Sequence, residues 1–600
     1  MPLIKLDSVS FKYPDSRTQA LKDVSLSIDK GEYVAVVGNN GSGKSTLVRL
    51  FNGLRSSDSG AVLVKGLDPA LRGSLFAVRS AVALVFQSPV DQIVSSCVEE
   101  DVAFGPSNLG LPNEEIERRV SAALDKVGMT ELRGRPTRSL SGGQQQKLAI
   151  AGALAMNPEC LVFDEATSML DPRTKLAVLE LMEELVTQGM TVVHVTHDMN
   201  DAARAGRIIA LEAGRIAYDG SPARFFLNLP DLADDDPPAA PAGGGIAALA
   251  MGFDLPKTIA AAGLFGLRPS LDDDIETLAG RIASARDPCP EMAPSPASEA
   301  RNEAASEPVF SFRDVSFSYL RGTAGEVRAL ENVSFAVRKG WRVALVGKTG
   351  SGKSSALQLF NSLIQPSQGS VISFGQDTKS ASLDARKLRI TAPLSIQRPE
   401  SALFEIYAAD DVAFGPRNLG ISGAPLVDRV RKWMDSAGIP YDTFRDRMTR
   451  GLSGGEKRKL ALAGVFALES EAVLLDEPTA ALDPSSQKAV FGLLERVSLQ
   501  GRTVVFATHS MEEAAQADMV AVFRDGRLAD FGSPREIFYD RYDSGWGIAL
   551  PYAVGLAKRL KDLGVRIDGN PLTLEALRET LGFSSAPGQA GATPESGGPS

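Results

Sequence analysis

Cysteine is scarce in this chain. Only Cys97, Cys160 and Cys289 occur, far apart in 600 residues. They offer no disulfide framework and no C-x-x-C spacing for a metal or cluster, which favours a reducing compartment. Long apolar runs are missing too. The closest, residues 245–267, is broken by Asp254, Pro256 and Lys257, so no stretch reads as a membrane span. The opening MPLIKLDSVSFKYP lacks an apolar signal core. If the protein works at a membrane, another chain is expected to cross it. Surplus positive charge is also absent. The net charge is -10, which disfavours a general nucleic-acid-coating role. What remains is an ordinary globular balance, 44% apolar and 23% charged. A chain of 600 residues is too long for one core, and length alone suggests about four domain-sized units.

The strongest local signal is GNNGSGKST, made of Gly38, Asn39, Asn40, Gly41, Ser42, Gly43, Lys44, Ser45 and Thr46. It fits G-x-x-x-x-G-K-[ST] between a strand-like run, Tyr33 to Val37, and a helix-like run, Leu47 to Phe51. Glycines let the backbone curl so that several N–H groups face one phosphate. The start of the following helix adds partial positive charge. Lys44 is placed to reach β- and γ-phosphates, and Ser45 to hold Mg²⁺.

The chain then repeats itself. GKTGSGKSS, spanning Gly347, Lys348, Thr349, Gly350, Ser351, Gly352, Lys353, Ser354 and Ser355, lies 309 residues beyond the first loop. LSGGQ at Leu140, LVFDE with Asp164 and VTHD with His197 each return 312 residues later, as LSGGE, VLLDE with Asp476 and ATHS with His509. A period this long is a duplicated domain rather than a solenoid. We therefore expect a first nucleotide-binding domain over 1–228, a small helical appendage over 229–285 and a Pro/Ala-rich linker over 286–307. A second domain is expected over 308–540, a helical appendage over 541–583 and a disordered tail over 584–600.

Within the first copy, a buried strand leads to Gln87, whose amide can touch Mg²⁺ or an attacking water. A loop hydrogen bond is the plainer default for a lone glutamine. Tyr13, just before a polar turn, reads equally as a nucleobase stack or a half-buried strand tyrosine. Glu99, Glu100 and Asp101 form an acidic cluster, which by default is a solvated face. Ser141, Gly142 and Gly143 open a helix and make a second anion site, with a hydroxyl and exposed N–H groups. The apolar run Cys160 to Phe163 ends in Asp164 and Glu165. Two acids there are costly unless they have a task. Asp164 is expected to orient Mg²⁺ and Glu165 to polarise water. His197, at the end of another apolar run, reads as a γ-phosphate sensor.

This order of motifs resembles the ATP-binding-cassette ATPases, twice over. FQSPVDQIVSSCVEEDVAFGPSNLGLP with DEATSMLDP, and QRPESALFEIYAADDVAFGPRNLG, narrow the resemblance further. They are similar to the paired ATPase subunits of energy-coupling factor importers, fused in one chain. The resemblance implies an α/β fold: two P-loop, RecA-like domains, each with an antiparallel β subdomain and a helical subdomain. It implies head-to-tail pairing, with each ATP between the phosphate loop of one copy and the LSGG helix of the other. Site one would join the first loop, Gln87, Asp164, Glu165 and His197 to Ser453, Gly454 and Gly455. Site two would join the second loop, Gln397, Asp476, Glu477 and His509 to Ser141, Gly142 and Gly143. Mg²⁺ would meet Ser45, Gln87 and Asp164, or Ser354, Gln397 and Asp476. Tyr13 and Tyr319 would stack on adenine, and Asp171 and Asp483 would cross-talk.

The implied role is ATP-driven uptake of a vitamin, vitamin precursor or transition metal ion. The implied partners are a membrane scaffold (T-type) subunit and a substrate-capturing (S-type) subunit, with this chain peripheral on the cytoplasmic face. Glu99, Glu100, Asp101, Asp410 and Asp411 are the expected contacts to basic scaffold residues. The alternative is a soluble twin-cassette ATPase acting on ribosomes or nucleic acid, and a third reading is a non-hydrolysing nucleotide sensor. Glu456 in place of glutamine and the looser SIQRPE segment depart from the family pattern. Both acidic pairs and both histidines are present, so two competent sites are expected.

Overall fold

Short continuous apolar runs build the centre of each half. The computed structural model describes residues 2–14, 18–168, 170–227, 247–251, 253–285, 308–323, 325–397, 402–480 and 482–583. The first half contains β1 (Ile4–Phe11), β2 (Leu21–Ile28), β3 (Tyr33–Gly38), β4 (Ser59–Val64) and β5 (Val82–Val85). It continues with β6 (Cys160–Asp164), β7 (Thr191–Val195), β8 (Arg207–Glu212) and β9 (Arg215–Gly220). Six of these form a sheet in the order β5-β6-β7-β3-β8-β9, parallel except for the β8–β9 hairpin. Every residue of β3, β5, β6 and β7 is buried. Strands covered on both faces need apolar residues throughout, which is why they read as unbroken runs.

One face of this sheet packs on the antiparallel sheet β2-β1-β4, whose β1 alternates buried and exposed positions. The other face carries the helices, among them Val98–Asn108, Asn113–Lys126 and Gly142–Ala155. The second half repeats the plan. Its six-stranded sheet runs Leu394–Ser395, Ala472–Asp476, Thr503–Ala507, Arg342–Val346, Met519–Arg524, Arg527–Gly532 in spatial order. The chain is thus two α/β units, each with a parallel central sheet, an antiparallel sheet and a helical layer.

Register brings the carboxyl ends of the strands together. Asp164 lies opposite Val195 on β7, and Val36 of β3 pairs with the same Val195. Loops leaving this edge share one crevice, the usual place for a ligand in a parallel sheet. Two strands stop short of the polar residues expected at their ends. β5 ends at Val85, two residues before Gln87, and β7 ends at Val195, two before His197. Leaving the ladder frees these side chains to turn into the crevice.

The appendages pack on each other. Helices Lys257–Leu264 and Ile275–Ala285 share one apolar cluster with Tyr552–Asp562 and Leu574–Thr580. Ala261, Leu278 and Ile282 from the first appendage meet Leu556, Leu560 and Leu577 from the second, all fully buried. Arg559 pairs with Glu276 across this contact. Thr573 caps the last helix, accepting from the Ala576 N–H at 3.2 Å. The expected linker over 286–307, the tail over 584–600 and the start of the first appendage lie outside the described residues.

Candidate active site

Each phosphate loop is fixed by a residue only glycine can occupy. Gly43 has φ 106° and Gly352 φ 107°, both left-handed. A methyl on Gly43 would sit 2.5 Å from the Ala20 carbonyl oxygen, and one on Gly352 2.6 Å from that of Ala329. Inside the first loop, Lys44 donates to the carbonyls of Gly38 at 2.7 Å and Asn39 at 3.3 Å. Lys353 does the same with Gly347 at 2.8 Å and Lys348 at 3.0 Å. Both ammonium groups are buried, and burial lowers their pKa while nearby carboxylates oppose it. Neutral carbonyls are weak partners for a buried cation, so a phosphate entering the loop competes well for it.

Beside each lysine stand the acid pairs. Ser45 donates to Asp164 Oδ1 at 2.8 Å, and Ser354 bonds Asp476 likewise. Burial raises the Asp164 pKa and lifts Asp476 to about 6. Among the described residues no group of three or more His, Cys, Asp or Glu forms a metal cage. The donors present are hard oxygens, few in number, beside a phosphate loop. That set fits Mg²⁺, which favours oxygen and takes the rest of its shell from phosphate and water.

Glu165 and Glu477 follow with φ 52° and 51°. Left-handed backbone at a glutamate is strained and turns the carboxylate out of the strand direction. Glu165 Oε2 accepts from Gln87 Nε2 at 3.0 Å, with His197 Nδ1 3.9 Å away. Glu477 Oε2 accepts from Gln397 Nε2 at 3.0 Å, but His509 Nε2 is at 2.9 Å. Burial alone would raise the Glu477 pKa. The hydrogen bond and charge of His509, with Lys353 and Gln397, outweigh it and bring it below the ordinary value.

The halves face each other head to tail. Gly455, in the second signature, lies against the first phosphate loop; a methyl there would be 2.6 Å from Asn40 Nδ2. Asp483 of the second half acts electrostatically on Lys44, and Asp171 of the first on Lys353. Ser141 and Ser453 each close a capping box at their helix starts. A cavity of about 620 Å³ between the halves is lined by Glu165, His197, Glu477 and His509 together.

The family model for ABC transporters matches residues 21–168 and 330–480. A relative from Caldanaerobacter subterraneus subsp. tengcongensis, whose name describes an ABC transporter ATP-binding protein, is 31% identical over 546 residues, covering 89% of this chain and 92% of its own. The chain belongs to the ABC transporter family. It is a fusion of two ABC ATPase units. A similarly named relative from Bifidobacterium longum is 34% identical over 542 residues; the match covers 86% of this chain and 64% of that protein. The energy-coupling factor transporter ATP-binding protein EcfA of Methanosarcina acetivorans is 46% identical over 227 residues, covering 38% of this chain and 82% of its own.

Other expected site residues of this ABC ATPase are placed as follows. Tyr13 and Tyr319 stand beside the loops, with hydroxyls 3.1 Å from Thr46 Oγ1 and 3.0 Å from Ser355 Oγ. Phe11 and Phe317 meet their rings edge-on, and the Arg55 guanidinium lies 5.5 Å from the Tyr13 ring centre. Asp171 and Asp483 also cap their own helices, accepting from Thr174 and Ser486 N–H at 3.1 and 2.9 Å.

Two expectations about surface charge are corrected. Asp101 is buried and accepts from the N–H groups of Val94 and Ser95, both at 2.8 Å. Asp411 is buried and accepts from Phe404 and Glu405 N–H at 2.9 and 3.0 Å. Both carboxylates hold the loop before their helix, so they cannot meet a partner's cations. Glu99 pairs with Arg133, Asp410 pairs with Arg417, and Glu100 is exposed.

A supporting layer escaped the sequence reading. In the first unit Lys175 binds Asp201 at 2.9 Å as well as Asp198. Burial and the Asp198 charge lift Asp201 to about 7. In the second unit the corresponding residues are Gln487, Glu513 and Ser510. Glu513 accepts from Thr479 Oγ1 at 2.6 Å and Thr508 Oγ1 at 2.5 Å, and burial lifts it to about 7. The signal was available as unequal residues at equal offsets.

Proposed function

We propose that this ABC ATPase is the energy-coupling subunit of an importer whose membrane-crossing parts are separate chains. The seating of Gly455 against Asn40 carries the reading. It supports two composite sites, each with its phosphate loop from one unit and its signature helix from the other. ATP bound there glues the units, and hydrolysis releases them, a nucleotide-driven switch.

In this reading Glu165 and Glu477 orient and polarise the attacking water. Gln87 and Gln397 hold those carboxylates and contact the water or metal. His197 and His509 sense the γ-phosphate. Lys44 and Lys353 leave their carbonyl partners for phosphate oxygens, and Tyr13 and Tyr319 stack on adenine. Mg²⁺ would be held by Ser45, Asp164 and Gln87, and by Ser354, Asp476 and Gln397, and supplies charge neutralisation at the transferred phosphoryl group.

Likeness to EcfA over 38% of the chain supports an energy-coupling factor importer, with a scaffold subunit and a substrate-capturing subunit for a vitamin, its precursor or a transition metal ion. No helix among the described residues is long and apolar enough to cross a membrane, which fits a peripheral subunit on the cytoplasmic face. Affinity purification of the tagged full chain from detergent-solubilised membranes tests this. Co-purifying integral membrane proteins that stimulate ATP hydrolysis support it. Co-purifying ribosomes and an RNA-stimulated ATPase would overturn it.

A further inference from the structure

The two sites hold their catalytic loops by different means. Arg458 lies in the helix Gly454–Ala467 and is buried, with 5% of its surface exposed. Its guanidinium donates to the Glu477 carbonyl oxygen at 2.7 Å and also to the Gln397 carbonyl oxygen. The side chains of those same two residues meet at 3.0 Å. One group therefore ties the backbones beneath a glutamine–glutamate pair that faces the second phosphate loop.

The first unit is tied differently: its two contacts fall on Phe86, one residue before Gln87, and on Glu165. Gln146 stands where the second unit has Arg458, and its amide donates to the Phe86 carbonyl at 3.4 Å. The Glu165 carbonyl is served instead by the Ser168 hydroxyl at 2.8 Å. The residue matching Ser168 is Ala480, which has no hydroxyl. Glu477 sits at φ 51°, a strained geometry that persists only when its surroundings hold it. A charged donor in a dry interior binds a carbonyl more strongly than a neutral amide does.

We propose that Arg458 is a positioning residue for hydrolysis at site two. It keeps Glu477 and Gln397 in mutual register and replaces the Ser168 and Gln146 arrangement of site one. Arg458 acts through these two residues rather than on the nucleotide. The proposal rests on the reading of Glu165 and Glu477 as the water-polarising groups.

The test uses the full chain with site one silenced by Glu165→Gln, so that the remaining turnover belongs to site two. In that background Arg458→Gln should lower kcat by roughly 10- to 100-fold, as expected for a misplacement of about 1 Å. KM for ATP should stay within about twofold of the parent. Adding Ala480→Ser, which rebuilds the site-one arrangement, should recover several-fold of the lost kcat. A kcat within twofold of the parent overturns the proposal. So does a KM that rises as kcat falls, or no recovery on adding Ala480→Ser. If Arg458→Gln does not fold, Arg458→Lys is assayed; an intermediate kcat supports the proposal and an unchanged one overturns it. Full activity in the Glu165→Gln, Glu477→Gln chain would instead remove the underlying reading. An inactive double variant alongside an unaffected Arg458→Gln variant would remove the Arg458 role alone.

Discussion

Replacing Glu165 and Glu477 by glutamine, one at a time, should give equal kinetic losses and unequal stability losses. Each change keeps the side chain's size and removes one negative charge. If the carboxylate polarises water, turnover at the altered site falls by roughly 10²–10⁴-fold. Stability differs because the two carboxylates are held differently. Glu165 has one short partner, Gln87 at 3.0 Å, while His197 and Lys44 are both 3.9 Å away. A glutamine keeps that bond by turning its own oxygen toward Gln87. Glu477 is held from two sides, by Gln397 at 3.0 Å and His509 at 2.9 Å. An amide has one acceptor oxygen and no charge, so the charge-assisted bond to His509 is lost and at best a neutral one replaces it. A hydrogen bond to a charged group is worth about 1.5–3 kcal/mol. For a unit of this size that lowers Tm by several degrees. Differential scanning calorimetry without nucleotide and phosphate release at saturating ATP read the two effects. Equal Tm for both single variants would refute the argument from His509. Undiminished turnover in both would refute the role of the carboxylates.

Three further outcomes follow from the geometry. Glu513 is raised from an ordinary 4.5 to about 7 by burial, so the folded state binds a proton that the unfolded chain has lost between those values. Its contribution is full below pH 4.5 and fades as pH rises through 7; Glu513→Gln should raise stability at pH 8 by up to ~3 kcal/mol and leave pH 4 nearly unchanged, read by thermal melts at both pH values. Asp101→Ala leaves the Val94 and Ser95 N–H groups without their acceptor and should cost about 1–3 kcal/mol in a denaturant titration, with Asp101→Asn costing less. Leu556→Ala in the fully buried seam between the appendages should cost about 2–5 kcal/mol and make the residues near 257–285 more sensitive to limited proteolysis.

Much of this architecture was readable before any coordinates. Short apolar runs rich in β-branched or aromatic residues, such as Val34 to Val37 and Leu161 to Phe163, read as strands covered on both faces, and the phosphate loop's glycines mark one specific turn. Four things were not readable. A run of acids normally means a wet face, and nothing in Glu99-Glu100-Asp101 says that only the last turns inward to cap a loop. Apolar spacing in the appendages shows that each helix packs, not that the two appendages pack together. The roles of Ser168 and Arg458 depend on which carbonyls come within reach, a property of the folded backbone. Gln87 and His197 also lie beyond their strands, because hydropathy does not mark where the hydrogen-bonded ladder stops.

The small bundle built from both appendages changes what dissociation means for this protein. Two separate subunits would drift apart once nucleotide leaves, and their reunion would depend on concentration. Here the covalent chain and a shared apolar knot, sealed by Arg559 and Glu276, hold the local concentration high whatever the dilution. Under the proposed nucleotide-driven switch, opening would be a hinged gape about the knot rather than a separation, and the ATPase rate per chain should not vary with how much protein is in the tube.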